Sequence, residues 1–180
     1  MLMNKFSRRN ALSWLGASSA ATAFLVGTQT KAKARNTPNI VDAWIDAFYI
    51  AKDPVSLAAL YTNNGIFEEV PAGFRTEGSN NIKCFVQGTL QLFGNFKIDV
   101  LSSFTSENKA LAEYLLTATN TGIIPEPSTL GKSFTVRVVT VFDLKGNKIE
   151  RSSDYYDYAA ILVQLGLIPP LPAPQPPSCH

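Results

Sequence analysis

The stretch Ser153–Gly166, SDYYDYAAILVQLG, holds the densest group of side chains able to do chemistry. Asp154 and Asp157 stand three residues apart among Tyr155, Tyr156 and Tyr158. A carboxyl enclosed by apolar side chains loses the hydration of its charged form, so its pKa climbs toward neutrality and it can exchange a proton near pH 7. Glu69 is a second candidate, because two acids facing one hollow push their pKa values apart and leave one as base and the other as acid. Tyr114 could hold a developing enolate oxygen, as oxyanion donors do. Such a set suits proton removal beside a carbonyl: isomerisation, aldol cyclisation or dehydration. This chemistry requires no metal or organic cofactor, and the chain has no metal-ligand pattern, with His180 its one histidine and no Cys-x-x-Cys. Plainer roles stand beside these. Asp154 could be a buried acid tied to a tyrosine or an amide, and Glu69, close to Pro71, reads as a solvated rim residue. Tyr114 and Tyr156 fit a core with a wet hydroxyl.

These side chains depend on the elements that carry them. Thr37-Pro38 reads as a helix start, a capping hydroxyl followed by proline at the first helical position. Ile40, Trp44, Ile45, Phe48 and Ala51 then recur at helical spacing. Asp53-Pro54 opens a second helix with Leu57, Leu60 and Tyr61 on its contact face. Asn63-Asn64-Gly65 reads as a turn, residues 66–70 as a short strand and residues 71–78 as a loop. A third helix over 79–93 places Ile82, Phe85, Val86, Thr89, Leu90 and Phe93 inward. Strands over 97–104, 110–119 and 134–144 are rich in β-branched and aromatic residues. Lys145-Gly146-Asn147 turns into a last strand, 148–156, and a short helix over 157–166 follows. Helices first and strands later argue an α+β fold, in which a four-stranded antiparallel meander curls around the N-terminal helices as a cone with a pocket between them. In 134–144 the parity Phe134, Val136, Val138, Thr140, Phe142 faces the helices, since Arg137 and Asp143 on the other parity want water. In 148–156 alternation leaves two sets open: Ser152, Asp154, Tyr156 or Ile149, Arg151, Ser153, Tyr155.

The formal charge of +2 is misleading. Residues 1–34 hold five bases and no acid, and the remaining chain has eleven bases against fourteen acids. Without a basic stripe to hold phosphates, nucleic acid is excluded as a partner class. The start reads as an address: Arg8 and Arg9 in Ser7-Arg8-Arg9-Asn10-Ala11-Leu12 resemble a twin-arginine export motif. The apolar run from Trp14 to Val26 is short of the roughly 20 residues that span a bilayer, and Ala32-Lys33-Ala34 offers a cleavage site. The expected division is a signal peptide over 1–34, one domain over 35–168 and a proline-rich disordered tail over 169–180, in a periplasmic or secreted protein. Cys84 and Cys179 could pair in an oxidising compartment, but a half-buried Cys84 and a free Cys179 fit the sequence better.

The hairpin Lys145-Gly146-Asn147-Lys148-Ile149, the run Asp154-Tyr155-Tyr156-Asp157 and the helix end Leu162-Val163-Gln164-Leu165-Gly166 together resemble the SnoaL-like polyketide cyclase and ester cyclase group. That group belongs to the nuclear transport factor 2-like superfamily of cone-shaped α+β barrels. The loop from Ile123-Ile124-Pro125 to Leu130-Gly131-Lys132 is also similar to a turn of those cyclases, and the likeness spans residues 37–168. It implies that Ser152, Asp154 and Tyr156 face inward and that Asp157 caps the last helix. Two departures limit it. The cyclases pair their aspartate with a histidine that this domain lacks. The related epoxide hydrolases carry an arginine, an aspartate, a tyrosine and an asparagine where this chain has Tyr114, Leu116, Phe67 and Glu69.

The expected site therefore joins Asp154, Glu69 and Tyr114 with an apolar wall of Trp44, Phe48, Val136, Val138, Thr140 and Phe142, closed by Ser152 and Tyr156. Three function classes remain open. One is an exported cyclase, isomerase or dehydratase acting on an apolar small molecule. Another is a non-catalytic binder of such a molecule. The third is a homodimeric interaction domain using the sheet face of Tyr155, Val139 and Val141.

Overall fold

The computed structural model describes residues 39–170 and Pro172. The expected signal peptide, the Thr37-Pro38 helix start and Cys179 lie outside the described residues. Helix α1 (Ile40–Ile45) is capped by Asn39, whose side-chain oxygen accepts from the Val41 N–H at 3.1 Å. The same rod continues as a π-helical turn over Asp46–Ile50, closed by the Ala51 N–H donating to the Asp46 carbonyl at 2.7 Å. A π turn inserts one extra residue per turn and rotates the next side chains relative to α-helical phase. Ala47, Phe48 and Tyr49 are consequently all buried, three in succession. Asp53 caps α2 (Pro54–Ala59), accepting from Val55 and Ser56, with Pro54 in the first turn as expected.

Strand β1 (Tyr61–Glu69) runs through Asn63-Asn64-Gly65, where a turn was expected. The three residues fall in a bulge, a register jump between Tyr61 and Ile66 against the neighbouring strand. Gly65 is required there: a Cβ would lie 2.8 Å from Tyr61 Cβ. The expected loop 71–78 also contains a strand, β2 (Phe74–Glu77), antiparallel to β1. Phe74 stacks on Phe85 at 4.4 Å, a long-range contact that local turn chemistry does not reveal. Helix α3 (Ser79–Leu92) buries Ile82, Val86 and Thr89. Cys84 lies away from that face and is exposed, not half-buried as expected.

Strands β3 (Phe93–Thr105), β4 (Lys109–Asn120), β5 (Ser133–Lys145) and β6 (Lys148–Tyr156) form the expected meander, and α4 (Tyr158–Leu165) follows. The six-stranded sheet has the order β2-β1-β6-β5-β4-β3 and is curved and open, with β2 and β3 at its edges. It is not purely antiparallel, since β1 pairs parallel with β6. Phe134, Val136, Val138, Thr140 and Phe142 are buried, the parity read from Arg137 and Asp143. In β6 a register break opposite Asp143–Leu144 skips Glu150, which puts Ile149 on the same side as Ser152 and Asp154. That bulge is why simple alternation could not choose between the two sets. On the outer face Tyr155 is exposed, whereas Val139 and Val141 are half-buried. Among the described residues no helix is long and apolar enough to cross a membrane.

Candidate functional site

The concave side of the sheet, the π turn and α3 enclose a cavity of about 360 Å³. Asp154, Glu69, Tyr114, Phe48, Val138 and Tyr156 line it. Trp44, Val136, Thr140, Phe142 and Ser152, expected in the wall, do not. Trp44 and Phe142 are fully buried and meet edge to face at 5.3 Å, filling the space where cavity was expected. Ser152 is turned behind the wall, its Oγ 2.6 Å from Tyr61 Oη, which accepts from Trp44 Nε1 at 3.0 Å. Thr140 lies beneath the wall as a hydrogen-bonding support.

Sheet register brings the acids together. Asp154 on β6 faces Glu69 on β1 across one side and Thr140 on β5 across the other. Asp154 is only 6 % exposed, and Thr140 Oγ1 donates to its Oδ1 at 2.7 Å. Burial pushes the Asp154 carboxyl up to about 7, with the Glu69 charge adding to the rise and the Thr140 hydrogen bond opposing it. Glu69 is partly buried in the cavity wall, not a solvated rim residue. Burial raises its pKa too, against the pull of the Tyr156 hydroxyl, which donates to Oε2 at 3.2 Å. The register of β1 against β6 turns Phe67 and Glu69 to the same inner face as Ser152 and Asp154.

A line of hydroxyls leads away from Asp154. Tyr114 Oη lies 3.0 Å from Thr140 Oγ1 and 3.0 Å from Tyr49 Oη. Burial holds both phenols well above the ordinary tyrosine pKa, so they stay protonated and act as hydrogen-bonding groups rather than charges. Among the described residues every buried side-chain nitrogen and oxygen has a hydrogen-bond partner. Apart from Thr89 the rest of the wall is apolar or aromatic, including Phe85, Phe93, Phe96, Leu116 and Phe134, and it contains no lysine, arginine or histidine. No group of three His, Cys, Asp or Glu that could hold a metal exists among the described residues. Asp157 stands apart: it caps α4, accepting from the Ala160 N–H at 2.9 Å.

Sequence reasoning passed over Tyr49, Ile123 and Ile124. Tyr49 sits off the α-helical stripe of Trp44 and Phe48, and only the π turn brings it inward. Ile123 and Ile124 belong to the loop between β4 and β5, which buried Asn120 organises by accepting from the Gly122 and Ile124 N–H groups and donating to the Ile124 carbonyl. The one available signal was an isoleucine pair in a loop, where large apolar residues are uncommon unless covered.

The fold recurs in solved structures. A hypothetical protein of ketosteroid isomerase-like fold from Catenulispora acidiphila, in complex with trimethylamine, is 23 % identical, with a TM-score of 0.61 over 72 % of this chain and 94 % of that one. A protein assigned as a polyketide cyclase from Pseudomonas putida is 20 % identical, with a TM-score of 0.61 over 69 % and 94 %. A phenazine biosynthesis-related protein from Pseudomonas aeruginosa is 13 % identical, with a TM-score of 0.64 over 78 % and 91 %. At such identities the likeness establishes the fold alone. No curated protein matches the chain. Residues 39–165, which hold the curved sheet, its helices and the acid pair, match the SnoaL-like polyketide cyclase family, and the chain belongs to that family.

Proposed function

We propose that this protein is an exported, cofactor-independent enzyme in which Asp154 transfers a proton on an apolar, carbonyl-containing small molecule, in a cyclisation, isomerisation or dehydration. One observation supports this most: a carboxyl with its pKa at about 7 sits in the wall of a largely apolar and aromatic cavity, beside a second acid, Glu69. The ionised form takes the proton beside the carbonyl, breaking C–H and sending the electron pair to the carbonyl oxygen. The neutral acid then returns the proton to carbon or to a leaving oxygen. Glu69 keeps Asp154 basic by its charge, and the aromatic wall excludes the water that would level that basicity. The acting form is the carboxylate, so turnover rises with pH through about 7.

Exchange of the α-protons of 1-indanone in deuterium oxide, followed by NMR, tests the reading without knowledge of the natural substrate. Wild type accelerates exchange and a folded Asp154→Asn variant does not. Equal exchange rates in the two would remove the catalytic role. The full satisfaction of the buried polar groups favours a second reading, a binder in which Asp154 accepts a ligand hydroxyl. It is recognised by a ligand that co-purifies and binds with no exchange at any pH. Export through the twin-arginine machinery rests on Arg8 and Arg9, and replacing both with lysine should leave the protein in the cytoplasm. Homodimerisation, proposed for the sheet face around Tyr155, predicts a doubled mass in solution that Tyr155→Glu halves.

A further inference from the structure

Asp154, Thr140, Tyr114 and Tyr49 form an unbranched row in which each hydroxyl has one proton to give. Thr140 Oγ1 lies 2.7 Å from Asp154 Oδ1, Tyr114 Oη 3.0 Å from Thr140, and Tyr49 Oη 3.0 Å from Tyr114. Tyr49 and Tyr114 both reach the cavity. While Asp154 is ionised it can only accept, so Thr140 must give its proton to the carboxylate. Tyr114 must then donate to Thr140 and Tyr49 to Tyr114. All three protons point toward Asp154, and Tyr49 shows the cavity only lone pairs. Once the carboxyl is neutral its own O–H can donate to Thr140, and the row can turn over by rotation about three C–O bonds. Tyr114 then donates to Tyr49, whose own O–H turns toward the cavity.

We propose that Tyr49 is the hydrogen-bond donor to the substrate oxygen, and that Asp154 controls it through Thr140 and Tyr114. This rests on the proton-transfer reading above. When Asp154 takes the α-proton, negative charge appears on the substrate oxygen, and the neutral carboxyl, with that proton on Oδ1, lets the row turn so that the Tyr49 hydroxyl meets the charge. No proton travels along the row; only the direction of its hydroxyls changes, so atoms and charge balance. Tyr114, the residue sequence reasoning placed against the oxyanion, becomes a positioning residue between Thr140 and Tyr49. The titratable groups facing Asp154 are Glu69 and Tyr61 on β1, Tyr156 on β6, Tyr114 on β4 and Tyr49 on the π turn.

The probe is 2,4-dinitrophenolate, an oxyanion across pH 5.5–8.5, with neutral 1,3-dinitrobenzene as a control for the cavity. Charge repulsion from Asp154 alone weakens the anion at high pH in every variant that keeps the acid, so the informative quantity is the effect of Tyr49→Phe at each end of the range. The proposal expects Tyr49→Phe to weaken 2,4-dinitrophenolate at least about tenfold at pH 5.5, where Asp154 is neutral, and less than about twofold at pH 8.5. In an Asp154→Asn background the loss should be at least about tenfold at both pH values. Binding of 1,3-dinitrobenzene should be unchanged throughout. Equal losses at both pH values in the wild-type background would overturn the control by Asp154, and no loss anywhere would overturn the donor role. Binding needs no turnover: this pattern together with absent 1-indanone exchange would sink the catalytic reading while leaving the hydroxyl switch standing.

Discussion

Ser152 and Asp154 are two residues apart on the same face of β6, and each begins a chain of buried hydroxyls, yet the two chains do different things. Ser152 bonds to Tyr61 and Tyr61 accepts from Trp44; all three are essentially without exposure, Ser152 is paired in the sheet between Phe67 and Phe142, and Trp44 meets Phe142 edge to face. That network is closed. Every member is neutral, and none of the three lines the cavity. The Asp154 network ends in an ionisable group at one side and a tyrosine at the other, and both residues line the cavity. Buried polarity alone does not mark function, because a satisfied network can equally fix one packing arrangement. What separates the two is a titratable group next to unfilled space.

The comparison breaks most sharply at the acid itself. Asp154→Asn should slow 1-indanone exchange about 10³-fold, the loss expected on removing a general base, while Ser152→Ala stays within about threefold. The packed region should fail in the opposite sense. Trp44→Ala should cost about 3–5 kcal/mol in urea unfolding, whereas Leu116→Ala, beside existing empty volume, should cost only about 1 kcal/mol. Comparable losses at the two positions would mean that the cavity is filled in solution.

Stability against pH sharpens the contrast further. The folded-state pKa of Asp154 lies above its ordinary value of 3.8, so the folded chain binds that proton more tightly than the unfolded chain. Its contribution is fully present below about 4 and is lost as pH rises to about 7, by an upper bound of about 4 kcal/mol. Glu69, also raised, acts in the same direction. Thermal melts from pH 4.5 to 8.5 should therefore decline for wild type and decline less for Asp154→Asn. Ser152→Ala should lower the melting temperature by the same amount at every pH, through a loss of about 1–2 kcal/mol. The smallest effect belongs to Thr140→Val. Removing the one hydrogen bond that favours the ionised Asp154 should move the midpoint of the exchange-rate profile to higher pH.

Most of the fold was legible in the residues because its signals are local. The meander followed from β-branched strands and Gly-Asn turn chemistry, and the cap at Asp53 from a side chain that reaches its own helix N–H groups, whereas the cap at Asp157 was implied by the family resemblance. The errors fall where partners are distant. Strand β2 owes its place to β1 and to Phe85 stacking on Phe74, and the strand through Asn63-Asn64-Gly65 owes its extension to β6. Within the site, Asp154, Glu69, Tyr114 and Tyr156 were nameable as polar groups in apolar surroundings. Trp44 and Phe142 were misplaced, since one-dimensional periodicity marks an inward face but not whether that face meets another side chain or a void.

The amino-acid order by itself determined an α+β chain and the inward face of residues 134–144, because residue spacing sets which side chains share a helix or strand face. On the last strand spacing left both faces open, and the inward turn of Asp154 was implied by the family resemblance alone. Only the tertiary structure decided which inward residues touch a cavity and which plug the core. Two bulges and one π turn rotated Glu69, Asp154 and Tyr49 into the same hollow. The reason is geometric: each inserted residue shifts the phase of everything after it, and such insertions are stabilised by contacts with chain far away in sequence.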